Sequence, residues 1–229
     1  MSDLLSIGSS AVSAYQRALG TVSNNIANVG TEGYVRQETA LSESVPRNMG
    51  RAHVGTGVNV AGIRRAYDEF LEQNLRNTTS ELNTQGPMVN YADRVVDILG
   101  SESIGLPQAL DQFFASARSL STDPASSLLR SQFLRDADGL AARFRELSSQ
   151  VSSVDTETRD AISSRVADIN TLSQQIATVN KKLARHTILD RQPPDLLDQR
   201  DLLLKQLSAL VNIKVSTAPS GQVDVSIGN

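Results

Sequence analysis

Apolar residues near the start of the chain recur at steps of three and four. Leu4, Ile7, Ala11, Ala14, Ala18 and Val22 form a stripe that Ile26 and Val29 continue. This spacing predicts an amphipathic helix from about Asp3 to Asn28, with a narrow, Ala-rich seam of the coiled-coil kind. Such a helix is about 40 Å long at about 1.5 Å per residue. It needs a partner helix, because an isolated one is marginal in water. Asn28 and Gly30 suit a helix end, and Glu32-Gly33 reads as a turn before Tyr34. Tyr34 to Leu41 and His53 to Arg65 have extended character, and Pro46, Gly50, Gly55 and Gly57 make the stretch between them an irregular ribbon.

Helical spacing resumes at Tyr67, Phe70, Leu71, Leu75 and Leu82, then at Met88, Ala92, Val95, Val96 and Leu99. Gly86-Pro87 predicts a kink or a break between these runs. Gly105 and Pro107 open a shorter helix with Leu110, Phe113, Phe114, Ala117 and Leu120. Asp123 as N-cap and Pro124 at the first helical position start another, reaching Leu147. A further helix is expected from about Thr156 to Arg185, and together these helices predict an antiparallel bundle.

Pro193-Pro194 precedes the amphipathic segment DLLDQRDLLLKQLSALV, with Asp195, Asp198 and Asp201 in its first turns, where the helix dipole favours acids. A three-residue spacing also puts carboxylates on one side, but no Gly-rich loop or fuller oxygen set supports a cation site. Arg200 is expected to pair with one of these acids or to cap carbonyls. Val211, Ile213 and Val215, then Val223, Val225 and Ile227, alternate about a turn at Ala218-Pro219-Ser220-Gly221, which predicts a hairpin. The expected fold is mainly α: an elongated helical bundle with an N-terminal coiled-coil-like helix, a small β or irregular ribbon after it, and a C-terminal β-hairpin. Residues 1–66 are read as axial helix plus ribbon, 67–210 as the bundle, and 211–229 as the start of a β-containing domain. The chain reads as the front part of a longer protein.

Composition narrows function mainly by exclusion. Cysteine is absent, which removes disulfides, thiolate metal sites and Cys nucleophiles. The two histidines, His53 and His186, lie in unrelated contexts, and no nucleophile, His and carboxylate assemble locally. No catalytic, cofactor-binding or metal residue is assigned. A net charge of -3 from 22 interleaved basic and 25 acidic residues gives no footprint for nucleic acid. No apolar run approaches the roughly 20 residues of a membrane span, so no membrane insertion is expected. MSDLLSIGSS lacks the basic start and apolar core of a cleavable signal. Trp is absent and aromatics are only 4%, so the core must come from Leu, Val, Ile and Ala stripes.

The most informative stretch is Ser23 to Gln37, SNNIANVGTEGYVRQ. Adjacent Asn24 and Asn25 lower helix propensity while offering amide donors and acceptors, so something outside the local helix is expected to use them. The pattern, preceded by its amphipathic helix, resembles the N-terminal signature of bacterial flagellar rod, hook and hook-associated proteins. The helical insertion from about Tyr67 to Arg185 and the phrase DLLDQRDLLLKQLSALVNIKVS narrow the resemblance to the hook-associated proteins of the hook-filament junction.

The resemblance implies a non-enzymatic structural subunit, exported without cleavage by the flagellar export apparatus to an extracellular position. It also implies that the first helix pairs with a C-terminal helix of the same chain in the inner tube. The implied partners are further copies of itself in a helical or ring assembly, the flagellar hook protein and the next hook-associated junction protein. The assembly motif carried over is Asn24, Asn25, Ile26, Ala27, Asn28, Thr31, Gly33, Tyr34, Arg36 and Gln37. In it Ile26 and Ala27 face the helix seam, and the Asn amides bridge subunits. Gly33 permits the turn presenting Tyr34, and Arg36 and Gln37 reach adjacent chains. Two other readings are kept: another rod or hook axial protein, and a cytoplasmic helical adaptor or chaperone whose Ala-rich helices dimerise.

Overall fold

The computed structural model describes residues 2–49, 52–100, 106–186, 188, 192–218 and 221–228. Among them are five helices, α1 (Ser2–Ala27), α2 (Glu69–Gly100), α3 (Leu106–Thr122), α4 (Ser127–Leu183) and α5 (Pro194–Ser208). The six strands are β1 (Gln37–Glu43), β2 (Arg47–Met49), β3 (Ala52–Val54), β4 (Val58–Arg65), β5 (Ile213–Thr217) and β6 (Val223–Ile227). The fold is mainly α, with a long first helix, a ribbon after it and a closing hairpin. Gly50, Gly105, Pro219, Ser220 and the side chain of His53 lie outside the described residues.

The chain divides into two compact units, one of residues 1–81 with 169–229 and the other of residues 82–168. In the first unit, β1 and β4 pair antiparallel, and β2 and β3 continue the ribbon. The β1–β4 register slips between Ala40 and Leu41, so Ala61 has no opposite residue, the signature of a β-bulge. α1 lies on β1 and β4. Its inner row is made of small residues. Ala14 and Thr21 are buried, while Ile7, Ser10, Ala11 and Ala18 are half-buried. Short side chains let the helix approach the ribbon closely enough for Thr21 Oγ1 to meet Thr39 Oγ1 at 2.9 Å and for Val58 N–H to reach Ser10 Oγ at 3.3 Å. Gly57 is required at this approach. Its φ is +112°, and a Cβ there would stand 2.3 Å from Ser10 Oγ.

The core of this unit joins the end of α4, α5 and the β5–β6 hairpin. Ile176, Val179 and Leu183 meet Leu203, Leu204 and Leu207, with Ile213 and Val223 from the strands. Asn180 fastens the hairpin: its Nδ2 donates to Val223 O at 2.8 Å and its Oδ1 accepts from Val223 N–H at 3.3 Å. In the other unit, Phe113 packs edge-on to Phe114 at 5.4 Å and against Phe133 at 5.3 Å. Leu147 and Val154 are buried there, one heptad apart.

Four expectations are corrected or narrowed. Of the kink or break expected at Gly86-Pro87, the break is excluded, because α2 runs through both residues as one helix of 32. The helices expected to end at Leu147 and to begin at Thr156 are one helix of 57 residues. The Ser-rich stretch between them contains neither Gly nor Pro, and Leu147 and Val154 carry the buried face through it. α4 starts at Ser127, not Pro124. Ser126 Oγ accepts from Leu129 N–H at 3.4 Å as the N-cap, while Asp123 closes the preceding turn. Finally, Tyr34 to Arg36 precede the strand instead of opening it: Tyr34 N–H donates to Thr31 O at 3.2 Å and Val35 N–H to Asp198, not to a strand neighbour.

Candidate functional site

The predicted seam of α1 is two rows, not one. Ile7, Ala11, Ala14 and Ala18 turn toward the ribbon, whereas Leu4 and Val22 are 77% and 51% exposed. A separate row, Leu5, Val12, Tyr15, Leu19, Val22 and Ile26, is exposed over half or more of each side chain's surface. Its alternating steps, with Gly8 filling the gap, are those of a heptad. Small residues therefore serve the ribbon, and large ones are left outward.

At the end of α1 the asparagines act inside the chain. Asn25 Oδ1 accepts from Tyr34 Oη at 2.7 Å and from Gln37 N–H at 2.9 Å, while its Nδ2 donates to Gln37 O at 2.8 Å. The side-chain amide pairs with the Gln37 backbone as a neighbouring strand would, and so ties the start of β1 to α1. Asn24 Nδ2 donates to Tyr34 Oη at 3.3 Å. Asn28 Nδ2 donates to both Asn24 oxygens at 2.9 and 3.0 Å, and Thr31 Oγ1 donates to Asn28 Oδ1 at 3.2 Å. What lies outside the local helix and uses the Asn24 and Asn25 amides is thus Tyr34 and Gln37 of the same chain. Ile26 and Ala27 are exposed, Ile26 on the outer heptad row. Arg36 is exposed and pairs with Glu38 at 2.8 Å, and Gln37 is half-buried.

Gly33 has φ +81°, and a Cβ there would stand 3.0 Å from Leu202 Cβ, so the turn before Tyr34 is pressed against α5. Two residues on, Val35 N–H donates to Asp198 Oδ2 at 3.3 Å. Asp198 also faces Arg65, the last residue of β4, with Nε and Oδ1 2.7 Å apart though not aligned as a hydrogen bond. Arg65 Nη2 donates to Asp201 Oδ2 at 2.6 Å, and its guanidinium lies 4.6 Å over the Tyr67 ring. Arg200 meets Asp201 Oδ1 at 3.4 Å and donates from Nη1 to Gly221 O at 3.0 Å, so it both pairs with an acid and caps a carbonyl.

These charges are about nine-tenths covered. Burial pushes the Asp198 carboxyl above its ordinary value, against the opposing pull of Arg65 and the Val35 N–H. Burial, and then the Asp201 charge, push the Tyr67 hydroxyl up, while its hydrogen bond with Arg76 opposes them. Asp195 remains exposed in the first turn of α5. The sequence placed these acids by helix-end electrostatics; their main partner is an arginine 133 residues from Asp198 in the chain. Arg65 and Asn180 were not singled out, and no local pattern marks either. Among the described residues, no group of three His, Cys, Asp or Glu is placed to hold a metal ion, and no helix is long and apolar enough to cross a membrane. The arrangement is a fastening, built from paired amides and a buried ion cluster, beneath an exposed apolar helix face.

Residues 92–229 match the family described as flagellar hook-associated protein FlgK helical domain, and residues 5–34 match flagella basal body rod protein. Flagellar hook-associated protein 1 of Salmonella typhimurium is 32% identical over all of this chain, which covers 42% of that protein. The protein of that name from Escherichia coli K12 is 29% identical over the same shares. The one from Bacillus subtilis is 32% identical over 92% of this chain and 43% of its own length. The chain thus spans less than half the length of these relatives.

Proposed function

Because the chain belongs to the flagellar hook-associated protein FlgK helical-domain family, we propose that it is a structural subunit joining hook to filament in the bacterial flagellum, with no catalytic role. Its partners are copies of itself, the flagellar hook protein and the next hook-associated junction protein. It reaches its extracellular position through the flagellar export apparatus, without a cleaved signal peptide. The observation that supports this reading best is the outer row of α1 from Leu5 to Ile26: a heptad of large apolar side chains left in water, while a complete inner row holds the ribbon. The outer row packs against another helix in the assembly.

The signature residues Asn24, Asn25, Asn28, Thr31, Gly33 and Tyr34 work as an assembly element by fixing the ribbon on α1, which leaves the outer row free. Ile26 and Ala27 extend that outer face, and the Arg36 and Gln37 side chains reach adjacent chains. The experiment replaces the full-length protein in its own bacterium by one lacking residues 24–37. Hooks without filaments, with the variant still exported, are the expected result. Filaments attached at the normal number would overturn the proposal.

A further inference from the structure

Between Asp3 and Arg36 the sequence carries two charges, Arg17 and Glu32, of opposite sign. Both are exposed, and neither has an ion-pair partner among the described residues. Arg17 lies about 15 Å of helix axis before Ala27, and Glu32 follows the helix, so the two do not meet within one chain. Arg17 stands at the edge of a groove of about 720 Å³, whose walls come from the second half of α1, from β4 and from the segment entering α5. Gly20, Val60, Ile63 and Pro193 make those walls small and apolar. Gln192, nine-tenths buried in the same lining, has an Nε2 with no hydrogen-bond partner among the described residues.

Past the end of α1, the chain presents a segment of matching chemistry. Val29 is 87% exposed, and Glu32 brings the carboxylate three residues later. We propose that the groove receives the Val29–Glu32 segment of a second copy of this chain, with Val29 against the apolar walls and Glu32 paired with Arg17. Gln192 Nε2 is the donor for a carbonyl of the entering segment. Groove and segment are different surfaces of one molecule, so the contact is heterologous and propagates from copy to copy, as a ring or helical array requires. The inference rests on the proposed assembly of the chain in an axial structure and names the contact by which neighbours recognise one another.

Charge reversal in the full-length protein tests it. Arg17→Glu alone and Glu32→Arg alone each put like charges in the groove, and each should lower the number of filament-bearing cells at least threefold. The double variant restores the opposite pair and should return to within twofold of wild type. Both side chains are exposed, so circular dichroism and export of the variants should match wild type. A parallel variant, Arg17→Cys with Glu32→Cys, should give a ladder of covalent multimers on oxidation of assembled flagella, whereas either cysteine alone should not. Full function of the single reversals, failure of the double to recover, or absence of the ladder would overturn the inference while leaving the junction role standing. Normal filaments in cells lacking the protein would remove both.

Discussion

The side-chain amide of Asn25 pairs with both backbone groups of Gln37, donating to its carbonyl at 2.8 Å and accepting from its N–H at 2.9 Å. Asn180 does the same for Val223. In each case an asparagine on a helix stands in for a strand neighbour and fixes where a strand begins. Helix interiors tolerate Asn poorly, so the intrinsic cost is met by backbone pairing that no aliphatic residue supplies.

Asn25→Ala leaves the Gln37 N–H and C=O without partners and should cost about 1–3 kcal/mol. Asn25→Asp should do no better, because an ionised oxygen would then face the Gln37 carbonyl. Hydrogen exchange at the Gln37 amide checks this: protection should fall in both variants while the amides of β5 and β6 keep theirs.

Arg65→Met leaves buried Asp198 without its cation and Asp201 with only the longer contact to Arg200. At neutral pH the loss should be about 3–5 kcal/mol, the cost typical of breaking a buried pair from one side. The Asp198 carboxyl, already raised by burial, then loses the charge that opposes the rise, so the folded state holds a proton that the unfolded state has released. Stability of the variant should fall as pH rises through the carboxylate range and recover on acidification toward pH 4. Wild type, in which burial raises Asp198 against the pull of Arg65, should show the same sign over a smaller span. Urea unfolding at pH 4 and pH 7 makes the comparison.

Much of the fold was legible in the sequence because it is written in local periodicity. The helices, the ribbon and the hairpin each follow from apolar spacing and from Gly or Pro placement. What failed was local evidence with more than one outcome. Val22 lies four residues from Ala18, as Ala18 lies four from Ala14, so an exposed residue joined a row whose true next member is the buried Thr21. Asp123-Pro124 resembles a helix start, yet Ser126 three residues on satisfies the N-terminal amide. The ion cluster could not be seen, because Arg65 and Asp198 meet only once β4 and α5 are packed. SNNIANVGTEGYVRQ was legible as a special segment, but its amides were assigned outward when Tyr34 and Gln37 lay within reach.

Gly57→Ala should weaken the seat of α1 on the ribbon by about 1–3 kcal/mol through its positive φ, with a further loss from the Cβ driven into Ser10 Oγ. Ser10→Ala alone loses the bond from Val58 N–H; adding Gly57→Ala to it should cost only the backbone part. Thermal unfolding of the two single variants and the double separates the contributions.

Tyr67 titrates above its ordinary value near 10, chiefly because it is buried. Over the interval from pH 10 up to the raised value, the unfolded chain loses this proton before the folded one does, so folding stability should fall as pH rises. Tyr67→Phe should flatten that decline and cost about 1 kcal/mol near neutrality by removing the hydrogen bond with Arg76. Denaturant midpoints between pH 8 and pH 11 test both effects.

The outward heptad of α1 is the face on which the proposed junction role depends, and Leu19 lies in its middle, 67% exposed. The most direct measurement is filament attachment in cells whose full-length protein carries Leu19→Glu, made together with hydrogen exchange at Gln37 in the purified variant. A charge there stands on the exposed face of α1, so Gln37 protection should match wild type, while filaments are lost from the hooks. Normal filaments on a protein with an unchanged ribbon would contradict the assignment of this face to assembly.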